Sequence, residues 1–323
     1  MKPEETIHAW AKKRGYRAAV GGISLLDDVR NTLQRRREAG EIEAGFYRDN
    51  LESLTWLDGI PLENPQSIIV VAVPIPAFIL TFTAGDKTIE TILPPTYVRY
   101  RKTFRDVRDD ISGALSGSGF RTELLNAPLK ALGSRLGLLR YGRNNVGYID
   151  GLGSYFQLVG LVSDMPFDDE IPAPRPEETL LPRCGKCRIC AAACPTGAIE
   201  KERILIHAEK CYTLFSESAN PIPEGLMPPT PKCIIGCLRC QELCPENKGL
   251  LRYENAPVSF DAEETGAFLG MKPEADNRAA DSARSKFLEL GLSEGLLLFR
   301  RNLKRLLSLD DLLPSKCNSV KGD

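Results

Sequence analysis

Cys184-Gly-Lys-Cys187-Arg-Ile-Cys190-Ala-Ala-Ala-Cys194-Pro195 decides how this chain is read. Three cysteines with two residues between neighbours, a fourth after three more, and then a proline make the bacterial ferredoxin run. In that run the first three thiolates hold one face of a [4Fe–4S] cube, and the fourth ligates the other cluster of a two-cluster protein. A second stretch, Cys233-x3-Cys237-x2-Cys240-x3-Cys244-Pro245, repeats the pattern in its last three cysteines. Proline lacks an N–H and stops the short helix after each cluster loop. Zinc sites prefer two Cys-x2-Cys pairs set far apart, a different spacing.

Nine of the ten cysteines lie between Cys184 and Cys244, and the tenth, Cys317, sits in a polar tail where a free thiol is expected. In a reducing compartment such clustering points to metal rather than disulfides. Two cubes call for four thiolates each. One assignment gives the first cluster Cys184, Cys187, Cys190 and Cys244, and the second Cys194, Cys211, Cys237 and Cys240. In the other, Cys233 replaces Cys211, and spacing alone leaves the two open.

Outward from the cysteines, the 323 residues suggest about two domains. Lys plus Arg is 42 and Asp plus Glu 43, a net charge of −1, which argues against a surface built for nucleic acid or acidic membrane. No stretch of 18 uncharged apolar residues offers a spanning helix. The first thirteen residues hold Glu4, Glu5 and His8 and no apolar core of a secretory signal, so a cytoplasmic location is expected.

Residues 23–39 read as an amphipathic helix. Ser67 to Ile75, SIIVVAVPI, and Ser154 to Val162, SYFQLVGLV, read as strands buried on both faces. Residues 87–93 form a strand after the Gly85-Asp86 turn, Tyr97 to Leu115 a helix, Phe120 to Leu125 a short strand and Leu129 to Leu136 a short helix. The expected fold is α+β, with an α/β layered N-terminal domain over residues 1–165. A Pro-rich linker follows over 166–183, then a double-cluster module over 184–250 and a helical C-terminal region over 251–323.

Between Thr96 and Asn145 stand ten basic and four acidic residues, an excess of +6 in a nearly neutral chain. Arg99 belongs to this stretch. The competing readings are a solvated helix face and a site for a phosphate-bearing ligand. Gly and Asn in Tyr141-Gly142-Arg143-Asn144-Asn145 tolerate left-handed backbone. No G-x-G-x-x-G fingerprint occurs at Gly21-Gly22 or at Gly151-Leu-Gly153. His207 is expected to be a loop residue.

The segment 184–247, with Cys211-Tyr-Thr-Leu and Gly236-Cys-Leu-Arg-Cys-Gln-Glu-Leu-Cys-Pro-Glu-Asn247, resembles the epoxyqueuosine reductase family. That family shares with reductive dehalogenases a double-cluster ferredoxin module behind a corrinoid-binding domain. The resemblance implies that the isolated Cys211 is a ligand and Cys233 is spare. Upstream, Asn126-Ala-Pro-Leu129, Gly137-Leu-Leu-Arg-Tyr-Gly-Arg-Asn-Asn145 and Gly153-Ser154-Tyr-Phe156 resemble further family elements. They imply a nitroreductase-like domain with a base-off corrinoid (cobalamin) between it and one cluster. Arg99, Tyr141, Gly142, Arg143, Asn144, Asn145, Gly153 and Ser154 are then candidate cofactor contacts. The family's catalytic aspartate falls at Leu125, so no catalytic residue is assigned, and the longest members' tRNA-binding helical tail has no counterpart here.

The expected function is an iron–sulfur oxidoreductase passing low-potential electrons through two [4Fe–4S] clusters to that cofactor, for reduction of a small substrate or modified nucleoside. The second reading is an electron-transfer or activator protein that serves a partner such as a corrinoid protein. Ferredoxin or flavodoxin is the expected donor. Membrane is excluded as a partner, and charge and the short tail argue against tRNA.

Overall fold

The computed structural model describes residues 2–167, 180–218, 221–223, 226, 231–270, 277–292 and 296–310. The order begins α1 (Pro3–Lys13), β1 (Arg17–Gly22), α2 (Leu25–Glu38), α3 (Ala44–Asn50), β2 (Ser67–Pro74), β3 (Ala77–Ala84) and β4 (Lys87–Leu93). It continues through α4 (Tyr100–Leu115), β5 (Thr122–Leu124), α5 (Leu129–Arg135), β6 (Arg140–Tyr141), β7 (Gly147–Tyr148) and β8 (Phe156–Ser163). The cysteine segment carries α6 (Ile189–Ala193), α7 (Tyr212–Glu217) and α8 (Arg239–Glu242), followed by β9 (Tyr253–Asn255), α9 (Ala262–Leu269), α10 (Asn277–Glu289) and α11 (Leu296–Asp310). Cys317 and most of the Pro-rich linker lie outside the described residues.

The α+β expectation holds. One sheet has the order β1-β2-β8-β5, and every neighbouring pair in it is antiparallel. The β-branched run of β2 is buried from Ser67 to Val73 because helices cover both faces. On one face Ile7 and Trp10 of α1 and Val107, Ile111 and Leu115 of α4 pack on Ile69, Val71, Val159 and Leu161. On the other, Leu25, Leu26 and Val29 of α2 and Leu132 of α5 pack on Ile68, Val70 and Leu125. Removing these branched side chains from water on both faces is the main force holding the layers together.

The hairpin β3–β4 leaves this sheet and pairs with β9, which runs parallel to β3. Its Phe78, Leu80, Phe82 and Leu93 join Phe260, Phe268, Phe287, Phe299 and Leu303 in a second core. Phe287 is at its centre, with ring centroids 4.5 Å from Phe268 and 4.8 Å from Phe260. The hairpin therefore fastens the C-terminal helices to the N-terminal half. Among the described residues no helix is long and apolar enough to cross a membrane.

The helix expected from Tyr97 begins at Tyr100 instead. Pro94 and Pro95 force a 3₁₀ turn over Pro95–Tyr97, and Arg99 takes a left-handed φ of 48° before the helix starts.

Candidate cluster and cofactor site

The two ferredoxin-type runs fold alike. Cys184 sits in a 3₁₀ turn, Cys187 and Cys190 flank the start of α6, and Cys194 ends it before Pro195. In the second run Cys237 and Cys240 straddle the start of α8, and Cys244 leads into the 3₁₀ turn Pro245–Asn247. Cys211 occupies the N-cap of α7.

The thiols divide into two groups. Cys184, Cys187, Cys190 and Cys244 surround one small void, bordered by Gly142, Arg143 and Asn144. Cys194, Cys211, Cys237 and Cys240 line a different and much larger cavity. The electrostatics divide the same way. Burial, then the charges of Cys244 and Cys187, raises the Cys184 thiol. Burial, then Cys211 and Cys194, raises Cys237. Cys240, raised by burial, feels Cys237 and Cys211 and also Cys190, so the two groups adjoin. Cys233 stands apart: it borders neither space, and burial pushes its thiol up to about 12. Among the described residues no three His, Cys, Asp or Glu side chains stand close enough to hold one metal ion.

The large cavity has a volume of about 1040 Å³, at the top of the roughly 300–1,000 Å³ usual for small-molecule sites. Its walls come from α2, α3, the start of α4, α5, the β6–β7 turn, the start of β8 and the cysteine segment. Apolar side chains such as Leu33, Leu54, Phe104, Leu158 and Ile199 dominate them. Gln157, 3% exposed, also lines it. Its amide nitrogen donates to the Pro95 and Val98 carbonyls at 2.8 Å each, while its Oε1 is buried with no partner. The Tyr97 hydroxyl donates to Glu217 within the same wall. Burial raises the carboxyl of Glu217 above the usual range, and the Tyr97 hydrogen bond opposes it.

Of the residues expected at a cofactor, Tyr141, Asn144, Asn145 and Ser154 line this cavity, and Arg99, Gly142, Arg143 and Gly153 do not. Arg143 is buried and donates to the Cys184 carbonyl at 2.7 Å and to the Lys201 carbonyl. Asn144 reaches the Tyr148 hydroxyl at 2.9 Å. The Ser154 N–H donates to Asn247 Oδ1 at 2.9 Å, and the Asn247 amide returns a bond to Ser154 Oγ at 2.9 Å. Gly153, at φ 60°, permits this approach, since a Cβ there would fall 2.3 Å from Asn247 Oδ1. These residues clamp the cysteine loops to the N-terminal sheet. Arg99 turns away, donating through Nε to the Glu289 carbonyl at 3.0 Å. Of the ten basic side chains in the 96–145 stretch, Lys130 and Arg135 alone line the cavity.

Leu125, at the position the resemblance gives an aspartate, is 4% exposed and packs in the apolar layer with Leu26, Val29 and Val70. It does not line the cavity. Neither histidine lines it either: His8 is exposed, and the His207 ring lies between Glu200 at 2.7 Å and Glu209 at 2.9 Å. Sequence reasoning missed Tyr97, Glu217 and Gln157. Glu217 sits 120 residues from Tyr97, and no local pattern links them.

Residues 183–247 match the family of 4Fe-4S double cluster binding domains. Epoxyqueuosine reductase of Pseudomonas aeruginosa is 27% identical over 261 residues, covering 76% of this chain and 68% of that protein. For most of the other curated relatives the matched segment spans about a third of their length. Among solved structures, epoxyqueuosine reductase from Streptococcus thermophilus superposes with a TM-score of 0.66 at 20% identity, covering 96% of this chain and 82% of that one. Epoxyqueuosine reductase with a tRNA-Tyr epoxyqueuosine-modified stem loop gives 0.66 at 21% identity, covering 94% and 80%. That complex overturns the expectation that near-neutral charge and a short tail argue against tRNA, because a protein of this fold holds a tRNA stem loop. The chain thus carries a double [4Fe–4S] cluster domain and is similar in sequence and in fold to epoxyqueuosine reductases, at the low identity of a divergent relative.

Proposed function

We propose that this protein uses its two [4Fe–4S] clusters to bring electrons to a corrinoid held base-off in the large cavity. The carrying observation is that Cys194, Cys211, Cys237 and Cys240 form part of that cavity's wall. Cys184, Cys187, Cys190 and Cys244 would hold the outer cluster, and the four wall cysteines the inner one. Two adjoining clusters make a two-step path from the surface to the cavity.

The cavity's residues fit a corrinoid. Its volume and apolar walls suit a large macrocycle, and the unpaired Gln157 Oε1 would accept from a peripheral amide N–H. Neither histidine lines the cavity, so neither would ligate the metal of a corrinoid bound there. When bound, a corrinoid supplies a low-potential metal centre for reducing substrate; the protein supplies position and electrostatics. Tyr97 and Glu217 would present an exchangeable proton to the cavity. The likeness to a reductase with a bound stem loop supports a modified nucleoside carried on tRNA as substrate.

The test is anaerobic titration of cluster-loaded protein with cobalamin, followed by its visible spectrum and by iron and cobalt counts. About eight irons and one cobalt per chain are expected. Eight irons with no cobalamin bound would favour the electron-transfer reading. Four irons, or two tightly held zincs, would remove both.

A further inference from the structure

Charged side chains around the large cavity are nearly all spoken for. Arg36 pairs with Glu41 at 2.6 Å and Arg135 with Asp28 at 2.8 Å. Glu43 caps α3 through the Gly45 and Phe46 N–H groups, Glu209 meets His207, and Glu217 meets Tyr97. Among the described residues, two cations of the wall have no carboxylate partner, Lys130 and Arg239. Arg239 lies between Cys237 and Cys240 in sequence, inside the second cysteine loop. Lys130 lies outside the cysteine loops, on α5.

The Lys130 side chain is exposed, and it lines the cavity. Desolvation by the cavity wall, opposed by the charge of Cys211, draws its amine below the usual lysine range. Its Nζ is held by one hydrogen bond, 3.0 Å to the Asn145 carbonyl. Asn145 in turn sits at a left-handed φ of 58°, closed by a bond from its N–H to the Gly142 carbonyl at 2.9 Å. The ammonium is thus aimed by the β6–β7 turn and has donors to spare. An ammonium that lines a cavity with no carboxylate partner and with donors to spare can meet an anion that the ligand carries.

We infer that Lys130 is the anion-binding group of this cavity, taking a phosphate or carboxylate of the molecule that fills it. This rests on the cavity being the ligand site proposed above. The anion has two sources: the phosphodiester of a corrinoid's nucleotide loop, or an anionic group on the substrate.

Cluster-loaded protein, parent and Lys130→Met and Lys130→Arg, is titrated with cobalamin, with cobinamide (which lacks the nucleotide phosphate) and with inorganic phosphate. A cofactor source predicts that the parent binds cobalamin about tenfold tighter than cobinamide, the scale of one charge-assisted hydrogen bond. Lys130→Met should erase that preference and Lys130→Arg keep most of it. A substrate source predicts equal corrinoid binding in all three proteins, with saturable phosphate binding lost in Lys130→Met alone. Corrinoid and phosphate binding both unchanged in Lys130→Met would overturn the inference while leaving the corrinoid reading intact. Should the parent bind no corrinoid, that reading falls, and phosphate decides: binding lost in Lys130→Met supports the lysine's role, and no phosphate binding ends it.

Discussion

Cys233 and Leu125 are single residues whose surroundings outweigh their place in a motif. Cys233 is four residues from Cys237, close enough in sequence to compete for a cube. Strand geometry claims it instead: it bridges Ile92, whose N–H donates to the Lys232 carbonyl at 2.8 Å and whose carbonyl accepts from the Ile234 N–H at 3.0 Å. The residue is only 6% exposed. Cys233→Ser should therefore keep the full iron content, whereas Cys211→Ser should lose or convert one cluster, read by iron analysis and low-temperature EPR. The reverse outcome would exchange the two assignments. At Leu125, restoring the family's acid is not a repair. Leu125→Asp would bury a carboxylate in the layer with Leu26 and Val70, costing about 3 kcal/mol. A lowered denaturation midpoint, with no gain in reductase activity, is expected.

The last helix shows how an element is held where sequence gives little warning. Asn302 on α11 is 3% exposed and donates to the Ser216 carbonyl at 3.0 Å and the Ile234 carbonyl at 2.9 Å. Arg301 beside it donates to the Phe215 and Ser218 carbonyls. One helix thus satisfies the carbonyls that end α7 and those that precede Cys237. Asn302→Ala leaves two buried carbonyls short and should cost about 2 kcal/mol, with faster loss of the inner cluster on exposure to chelator. On α9, burial opposes ionisation of Glu264, but hydrogen bonds from Lys286 and Ser282 hold its carboxyl below its ordinary 4.5. A depressed carboxylate stabilises the fold above its unfolded value and loses that contribution as pH falls through the folded one. Glu264→Gln should thus flatten the loss of stability below about pH 4.5, measured by urea unfolding across that range. The strands β2, β4 and β8 were legible because their runs are continuous and β-branched or alternating. Strand β1, Arg17–Gly22, was not: two alanines and two glycines carry no period, and only pairing with β2 makes it a strand. The Tyr141–Asn145 turn was legible as a special backbone but not in its work, since Arg143 and Asn144 reach the Cys184 and Cys240 carbonyls 41 and 96 residues away.

Across the whole molecule, the cysteine loops are the joint between two cores. On one side Arg143, Asn144 and Ser154 tie them to the turns that lead into β7 and β8. On the other, Asn302 ties them to the aromatic core around Phe287. Helices α6 and α8 bury no residue of their own and are five and four residues long, far below the roughly 12 residues at which a helix begins to stand alone. Their order must come from the clusters and from these clamps. Stripping the iron with a chelator should therefore act locally before it acts globally. In hydrogen exchange, amides of α6, α8 and the Cys211 cap should lose protection first. Amides of β2 and β8, buried under helices on both faces, should keep theirs, and α11 should fall between because one of its two anchors, the aromatic core, remains. Equal loss of protection in β2 and α8 would mean that the clusters support the layered sheet directly, and that the clamps transmit far more than their few hydrogen bonds suggest.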